Sequence, residues 1–276
     1  MIKKLLGAVF KNGKERTNSH EEDKEDKEGG ERKTSSTTNE EDKCYSEEIL
    51  FSSRLRKKER LYKTTHAPVV DVEDLRGQVW KGVSVEDPLT RSLAWKLLLD
   101  YYPQNQSIRD ATVQRKREEY LELANGYFSI NKKKEMSSYE ESSLKQIILD
   151  VKRTGMEEMF QMNVIKDIMV RILFIWTIRH PASGYVQGIN DLLVPFILVI
   201  IVEHLDQDKS DGYAIREEEI EALSKDQLDQ VEADAYWCLS KIIEDIQDNY
   251  TDLQPGVSKV LAKMKRIVEC SDKVLA

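Results

Sequence analysis

The chain has 276 residues, of which 40% are hydrophobic and 33% charged, and its formal net charge is -8. This acidic balance argues against a nonspecific nucleic-acid-binding role, because the phosphate backbone attracts basic proteins. The cysteines and histidines are scattered without CxxC or i, i+4 spacing, so we expect no disulfide framework, no metal site and no organic cofactor.

Residues 1–52 are interpreted as a disordered, charged tail. From Asn12 to about Glu48 they contain almost no large apolar side chain, which is typical of disorder. The opening MIKKLLGAVFK is weakly amphipathic, which fits either a frayed terminus or transient docking to a membrane or a partner. A basic block from Arg54 to Lys63 is interpreted as a solvated helix start in preference to a patch that binds anionic lipid or nucleic acid. We place one folded domain at residues 53–276.

Helical spacing of apolar residues predicts the first elements of this domain. Leu75, Val79 and Trp80 share one side of a short helix. The next helix lies in PLTRSLAWKLLLDYYP and carries Trp95, and we expect both tryptophans in the core. A surface helix with a charged face then runs to Gly126.

Later segments predict further helices and no strands. Asn163 to Arg179 has a broad apolar stripe, so we expect a buried helix there. Asp206 to Gln230 is acidic and polar, which favours an exposed loop with at most one marginal helix. Val231 to Asp248 resumes an amphipathic pattern, and Pro255 and Gly256 open a last helix. Because no strand-like alternation occurs, the fold class should be all-α.

The stretch from His180 to Val202 joins a polar turn to an apolar segment. Its first half holds Gly184 and Gly188, which are typical turn residues. From Leu192 onward it is almost wholly apolar, but far shorter than the roughly 18 residues that span a bilayer, so we expect a buried helix. A turn on such a support would hold Gln187 at a fixed place on the surface.

Three short motifs follow one another along the domain. They are R-x-x-x-W at Arg91 and Trp95, I-x-x-D-x-x-R at Ile147, Asp150 and Arg153, and Y-x-Q at Tyr185 and Gln187. In this order, and with surroundings such as ILFIWTIRHPASGYVQGIND, the sequence resembles the TBC domain of Rab GTPase-activating proteins, of the type called family member 22. The resemblance covers roughly Ser53 to Ser271 and implies a multi-helix, all-α domain.

The resemblance also implies roles for individual side chains. A small GTPase that hydrolyses GTP needs an oriented water and relief of the charge that builds on the phosphate oxygens. Arg153 would supply that relief in trans as an arginine finger, and Gln187 would position the water as a glutamine finger. The residues implied to support these loops are Asp150, Tyr185, Asn190 and Asp191. The residues implied to be structural are Arg91, Trp95 and Ile147.

The implied function is GTPase activation, an enzyme-regulating activity, toward a Rab-family GTPase in vesicle trafficking. GTP and Mg²⁺ would belong to that partner, so the chain would carry no cofactor of its own. No transmembrane segment is expected. The implied location is cytoplasmic, with peripheral association at Golgi or endosomal membranes.

The family continues into further helices beyond the one that ends near Cys270, whereas the sequence stops at Ala276. We therefore expect a domain that is incomplete at its C-terminus, with the apolar helix after Leu192 as the surface left uncovered. The alternative function is a truncated, catalytically weak or inactive module that binds a GTPase or another partner. A helical scaffold without GTPase contact is a third hypothesis.

Overall fold

The computed structural model describes residues 54–84, 87–129, 135–155, 157–206, 215–251 and 254–271. The helices in these ranges are 54–65 (α1), Val72–Trp80 (α2), Pro88–Leu98 (α3), Arg109–Phe128 (α4), Ser138–Val151 (α5), Asn163–Arg179 (α6), Ile189–Ile201 (α7), Glu217–Glu221 (α8), Lys225–Ile246 (α9) and Pro255–Ser271 (α10). The described residues form no strand beyond an isolated bridge between Val69 and Asn105. The predicted all-α fold is confirmed.

The chain separates into two units, Met1–Lys63 and Thr64–Ala276. In the first unit, residues 54–60 are helical and exposed, as expected for the basic block. The predicted disordered tail at residues 1–52 lies outside the described residues. The second unit contains helices α2 to α10 and all three motifs.

The core of the second unit is built from α6, α7 and α9. Apolar residues occupy nearly every side of α6 and α7, so both helices are buried over most of their surface. Helix α9 packs against both of them and against α4, while α5 lies on α6. The two predicted buried helices are therefore confirmed. No helix in the described ranges combines the length and the apolar content needed to cross a bilayer.

Capping chemistry places one helix start earlier than expected. Ser224 and Gln227 form a capping box, so α9 begins at Lys225 instead of near Val231, and the predicted exposed loop is shorter. Helix α4 also passes through Gly126 and ends at Phe128, because a glycine inside a helix costs only about 1 kcal/mol relative to alanine.

A cluster of charged and phenolic side chains is buried between α3, α4 and α9. The fully buried Lys96 ammonium lies 2.6 Å from Glu203 and 2.7 Å from Asp234. Asp234 also accepts hydrogen bonds from Tyr101 at 2.6 Å and from Arg117 at 2.7 Å. Burial lowers the pKa of Lys96, but the carboxylates of Asp234 and Glu203 outweigh it and raise the pKa above its ordinary value. This Lys96 cluster (Lys96, Tyr101, Arg117, Glu203 and Asp234) is absent from the sequence predictions.

Two expectations about apolar surface are wrong. Trp80, the last residue of α2, is 59% exposed, whereas Trp95 is buried. The apolar helix after Leu192 is not an open surface, because α9 packs on α7 and buries it. The exposed apolar face lies on α10 instead. Its exposed large apolar residues are Val257, Val260, Leu261, Met264 and Ile267.

Candidate functional site

Arg153 lies in a tight turn directly after α5. Its amide donates to the carbonyl oxygen of Asp150 at 3.0 Å, which satisfies one of the unpaired carbonyl groups at the helix end. Gly155 then has a left-handed φ of 74°, and a Cβ at that position would lie 2.7 Å from the Phe160 side chain. The backbone of the turn is therefore packed against Phe160, while the Arg153 side chain is exposed.

Gln187 lies in a second turn, directly before α7. Gly188 is the N-cap of α7 and has a left-handed φ of 100°, which glycine adopts without strain. The Gly188 amide donates to Oδ1 of Asn190 at 3.0 Å, so a side chain from the first turn of α7 holds the backbone beside Gln187. Like Arg153, Gln187 is exposed to solvent.

Hydrogen bonds join the two turns. The Tyr185 hydroxyl donates to the Asp150 carboxylate at 3.0 Å. Nδ2 of Asn190 donates to the Thr154 hydroxyl at 2.7 Å, and this hydroxyl donates to the Asp150 carbonyl oxygen at 2.8 Å. We call Asp150, Thr154, Tyr185 and Asn190 the turn network. Because Asp150, Thr154 and Asn190 are buried, this network is a rigid support beneath two exposed side chains.

The loop that leads to Gln187 is attached to its surroundings before it reaches the turn network. Gln247, at the end of α9, donates to the Ser183 hydroxyl at 3.2 Å. A Cβ at Gly184, where φ is 62°, would lie 2.9 Å from the Tyr139 hydroxyl of α5. The loop therefore runs close to α5, and this close approach favours glycine at position 184.

Asp150 uses both carboxylate oxygens within the protein. One accepts from Tyr185, and the other accepts from Nε2 of Gln146 at 3.1 Å. Burial, and then the charge of Asp150, raise the pKa of Tyr185 well above its usual range, so the phenol stays protonated and remains a donor. No hydrogen bond or ion pair to another described residue holds the Arg153 guanidinium. The guanidinium donors of Arg153 are thus available for a ligand.

Asp191 lies beside the turn network and contributes negative charge. Its carboxylate accepts from Nδ2 of Asn190 at 3.1 Å. Partial burial, and then the nearby charge of Asp150, raise its pKa above the ordinary value for an aspartate. In the described part of the chain, no three or more His, Cys, Asp or Glu side chains are grouped in a way that could hold a metal ion.

The structure brings the second and third motifs together and keeps the first apart. Ile147 is fully buried one turn before Asp150. Arg91 is buried in α3, where its Nη2 donates to the carbonyl oxygen of Val83 at 2.8 Å. Trp95 packs edge-on against Phe196 of α7, with ring centroids 5.8 Å apart. The first motif therefore helps to pack α3 against α7, the helix that follows Gln187.

Two residues of the site are missing from the sequence predictions, Thr154 and Gln146. The contact of Thr154 could have been predicted from the sequence, because the hydroxyl of a threonine four residues after Asp150 can donate to the backbone carbonyl at i-4. Gln146 likewise lies four residues before Asp150, which is contact spacing on a helix.

Comparisons with known proteins show the family to which this chain is similar. Residues 89–276 match the family described as RabGAP-TBC, Rab-GTPase-TBC domain. The chain is 41% identical over 205 residues to the Homo sapiens protein called TBC1 domain family member 22B, and the aligned region covers 74% of this chain and 38% of that protein. It is 38% identical over 231 residues to the Schizosaccharomyces pombe GTPase-activating protein gyp1, and the aligned region covers 83% of this chain and 42% of that protein.

A solved structure also has a similar fold. The crystal structure of the Ypt/Rab-GAP domain of Gyp1p superimposes with a TM-score of 0.71 at 32% identity, over 80% of this chain and 66% of that one. The chain spans about two fifths of the length of the two relatives named above.

Proposed function

Because this chain belongs to the Rab-GTPase-TBC domain family, we propose that it binds a Rab-family small GTPase and accelerates its hydrolysis of GTP. The observation that carries the proposal is the placement of Arg153 and Gln187. Both side chains are exposed on adjacent turns, and the buried turn network joins the backbones that carry them.

In this proposal Arg153 acts as the arginine finger. Its guanidinium would enter the nucleotide site of the GTPase and neutralise negative charge that develops on the phosphate oxygens in the transition state. The planar fork of an arginine matches phosphate oxygens with two parallel hydrogen bonds. A finger of this kind accelerates hydrolysis by about 10³ to 10⁵.

Gln187 would supply the second function, the orientation of the attacking water. Its amide offers both a donor and an acceptor, so it can hold a water and contact the partner at the same time. GTP and Mg²⁺ are brought by the GTPase in this proposal, and the chain acts as a regulator of that enzyme.

We also propose, from family membership alone, that the protein is cytoplasmic and associates peripherally with Golgi or endosomal membranes. Imaging of a tagged full-length chain would test this location.

The test is single-turnover hydrolysis of GTP by a panel of Rab proteins, with and without the chain in excess. We expect at least one Rab to be accelerated, and Arg153→Ala to lower that acceleration by about 10³ or more. Arg153→Lys should recover only a small part, because an ammonium cannot bridge two phosphate oxygens. Lys152→Ala is the matched control, since Lys152 is the exposed neighbour of Arg153 in the same turn.

Two outcomes would contradict parts of this proposal. If no Rab is accelerated, the chain is not an activator of the tested GTPases, and binding without acceleration would favour a partner-binding module. If Arg153→Ala leaves the acceleration intact, the assignment of the arginine finger is wrong.

A further inference from the structure

We infer that the Thr154 hydroxyl is a positioning group that makes the turns of Arg153 and Gln187 act as one unit, an inference that rests on the proposed function. The Thr154 side chain is 1% exposed, so a partner cannot touch it. Any effect of this hydroxyl on the reaction must therefore pass through the residues that it holds.

The first half of the connection ends on the backbone of Arg153. The carbonyl oxygen of Asp150 lies at the end of α5, where the last carbonyl groups have no amide donor within the helix. It accepts the Arg153 amide at 3.0 Å and the Thr154 hydroxyl at 2.8 Å. Both lone pairs of this oxygen are thus in use, and Thr154 is bound to the same atom as the Arg153 backbone.

The second half ends on the backbone beside Gln187. The Gly188 amide can only donate, so Oδ1 of Asn190 faces it at 3.0 Å and Nδ2 faces Thr154 at 2.7 Å. Because the Thr154 hydroxyl accepts from Asn190, its own proton is directed to the Asp150 carbonyl, which can only accept. An unbroken series of hydrogen bonds therefore runs from the Arg153 amide to the Gly188 amide.

Tyr185 provides a parallel connection of a different kind. Its hydroxyl contacts the side chain of Asp150, whereas Thr154 contacts the main chain. Only the Thr154 contact acts directly on the backbone that sets the Arg153 position. Since a misplacement of about 1 Å can cost about a hundredfold in rate, a hydroxyl that fixes both backbones controls the maximal rate of hydrolysis.

The experiment compares Thr154→Val, which keeps the shape and removes the hydroxyl, with Thr154→Ser, which keeps the hydroxyl. Single-turnover hydrolysis by a responsive Rab, titrated with each variant, gives the maximal rate and the half-saturating concentration. We expect Thr154→Val to lower the maximal rate by about tenfold to a hundredfold, with the half-saturating concentration changed by less than about threefold. Thr154→Ser should stay within about threefold of the wild-type rate.

Thr177→Val is the matched control. The Thr177 side chain is also fully buried, and its hydroxyl donates to the carbonyl oxygen of Leu173 at 2.7 Å, the same i-4 contact that Thr154 makes. Among the described residues, the Thr177 side chain forms no hydrogen bond with either turn, so its replacement should leave the maximal rate within about threefold of wild type even where the melting temperature falls.

A double-mutant cycle separates positioning from general stability. In a Gln187→Ala background one of the two positioned groups is already gone, so Thr154→Val should lower the maximal rate by a smaller factor than it does in the wild-type chain. Equal factors in the two backgrounds would overturn the inference. So would a Thr154→Val chain with the wild-type maximal rate, or a Thr154→Ser chain as slow as Thr154→Val.

Folding of the variants is judged by their melting curves. If Thr154→Val does not fold, Thr154→Ala replaces it, because alanine leaves space beside the two unpaired polar groups. If neither variant folds, the hydroxyl is a requirement for folding and the inference is overturned. A wild-type chain that accelerates no Rab contradicts the proposed function itself, whereas a fast Thr154→Val chain contradicts only this inference.

Discussion

The Tyr185 hydroxyl lies 3.0 Å from the Asp150 carboxylate, so the third sequence motif is attached directly to the second. Tyr185→Phe removes this hydrogen bond and keeps the ring. We expect a loss of about 1 kcal/mol of transition-state stabilisation, or about fivefold in maximal rate, because the loop before Gln187 is held less firmly. Single-turnover hydrolysis measures the rate, and an unchanged rate would show that this contact does not support the turn.

Replacement of Asp234 should destabilise the fold strongly. Asp234→Ala leaves Lys96 and Arg117 without their shared carboxylate, and removing one partner of a buried ion pair costs about 3 to 5 kcal/mol. The free energy of unfolding in urea measures this loss. Glu141→Ala is the control, because its pair with Lys145 is exposed and 3.7 Å long, and it should cost less than about 1 kcal/mol.

The same carboxylate predicts a dependence of stability on pH. Burial opposes ionisation of Asp234, but the charges of Lys96 and Arg117 prevail and hold its pKa below the ordinary value of 3.8. A carboxyl whose folded-state pKa is lowered stabilises the fold above its unfolded-state pKa, and that stability is lost as the pH falls through the folded-state pKa. The advantage of the wild type over Asp234→Asn should therefore shrink below about pH 4. Urea unfolding across that range tests this, and a constant difference would contradict it.

The two tryptophans should differ in their contribution to stability. Trp95 is buried and packs edge-on against Phe196, so Trp95→Ala should cost about 3 to 5 kcal/mol. Trp80 is 59% exposed, and Trp80→Ala should cost less than about 1 kcal/mol. Chemical denaturation of the two variants gives both values. Equal losses would mean that Trp80 is packed more tightly in solution than its exposure indicates.

Local sequence patterns predicted the bounds of the buried helices well. They failed for helix ends that are exposed to solvent. The helix Asn163–Arg179 has the predicted bounds, because its apolar stripe continues without interruption between polar ends. The start of α9 was missed because its first turns, from Lys225 to Gln230, are mostly polar and only partly buried, although the Ser224 and Gln227 spacing could have indicated the cap. Trp80 was placed in the core because spacing alone does not show which end of a helix stays in solvent.

Contacts between distant residues could not be read from the sequence. Lys96 and Asp234 are 138 residues apart, and neither periodicity nor composition pairs them. The resemblance to a known family implied one shared reaction for Arg153 and Gln187, but the hydrogen bonds that join their turns could not be predicted from the sequence. The assignment of the two fingers stays a prediction, and the turn network gives it a physical basis that can be tested.

Neither Arg153 nor Gln187 contributes a side chain to the turn network, whose buried members keep the turns in place. The proposed chemistry and the fold are therefore carried by different atoms. Substitution of either proposed finger should therefore leave the fold intact. Under the proposed function, such a chain would still bind a Rab-family GTPase, and the GTP-bound form of that GTPase would persist because its hydrolysis is no longer accelerated.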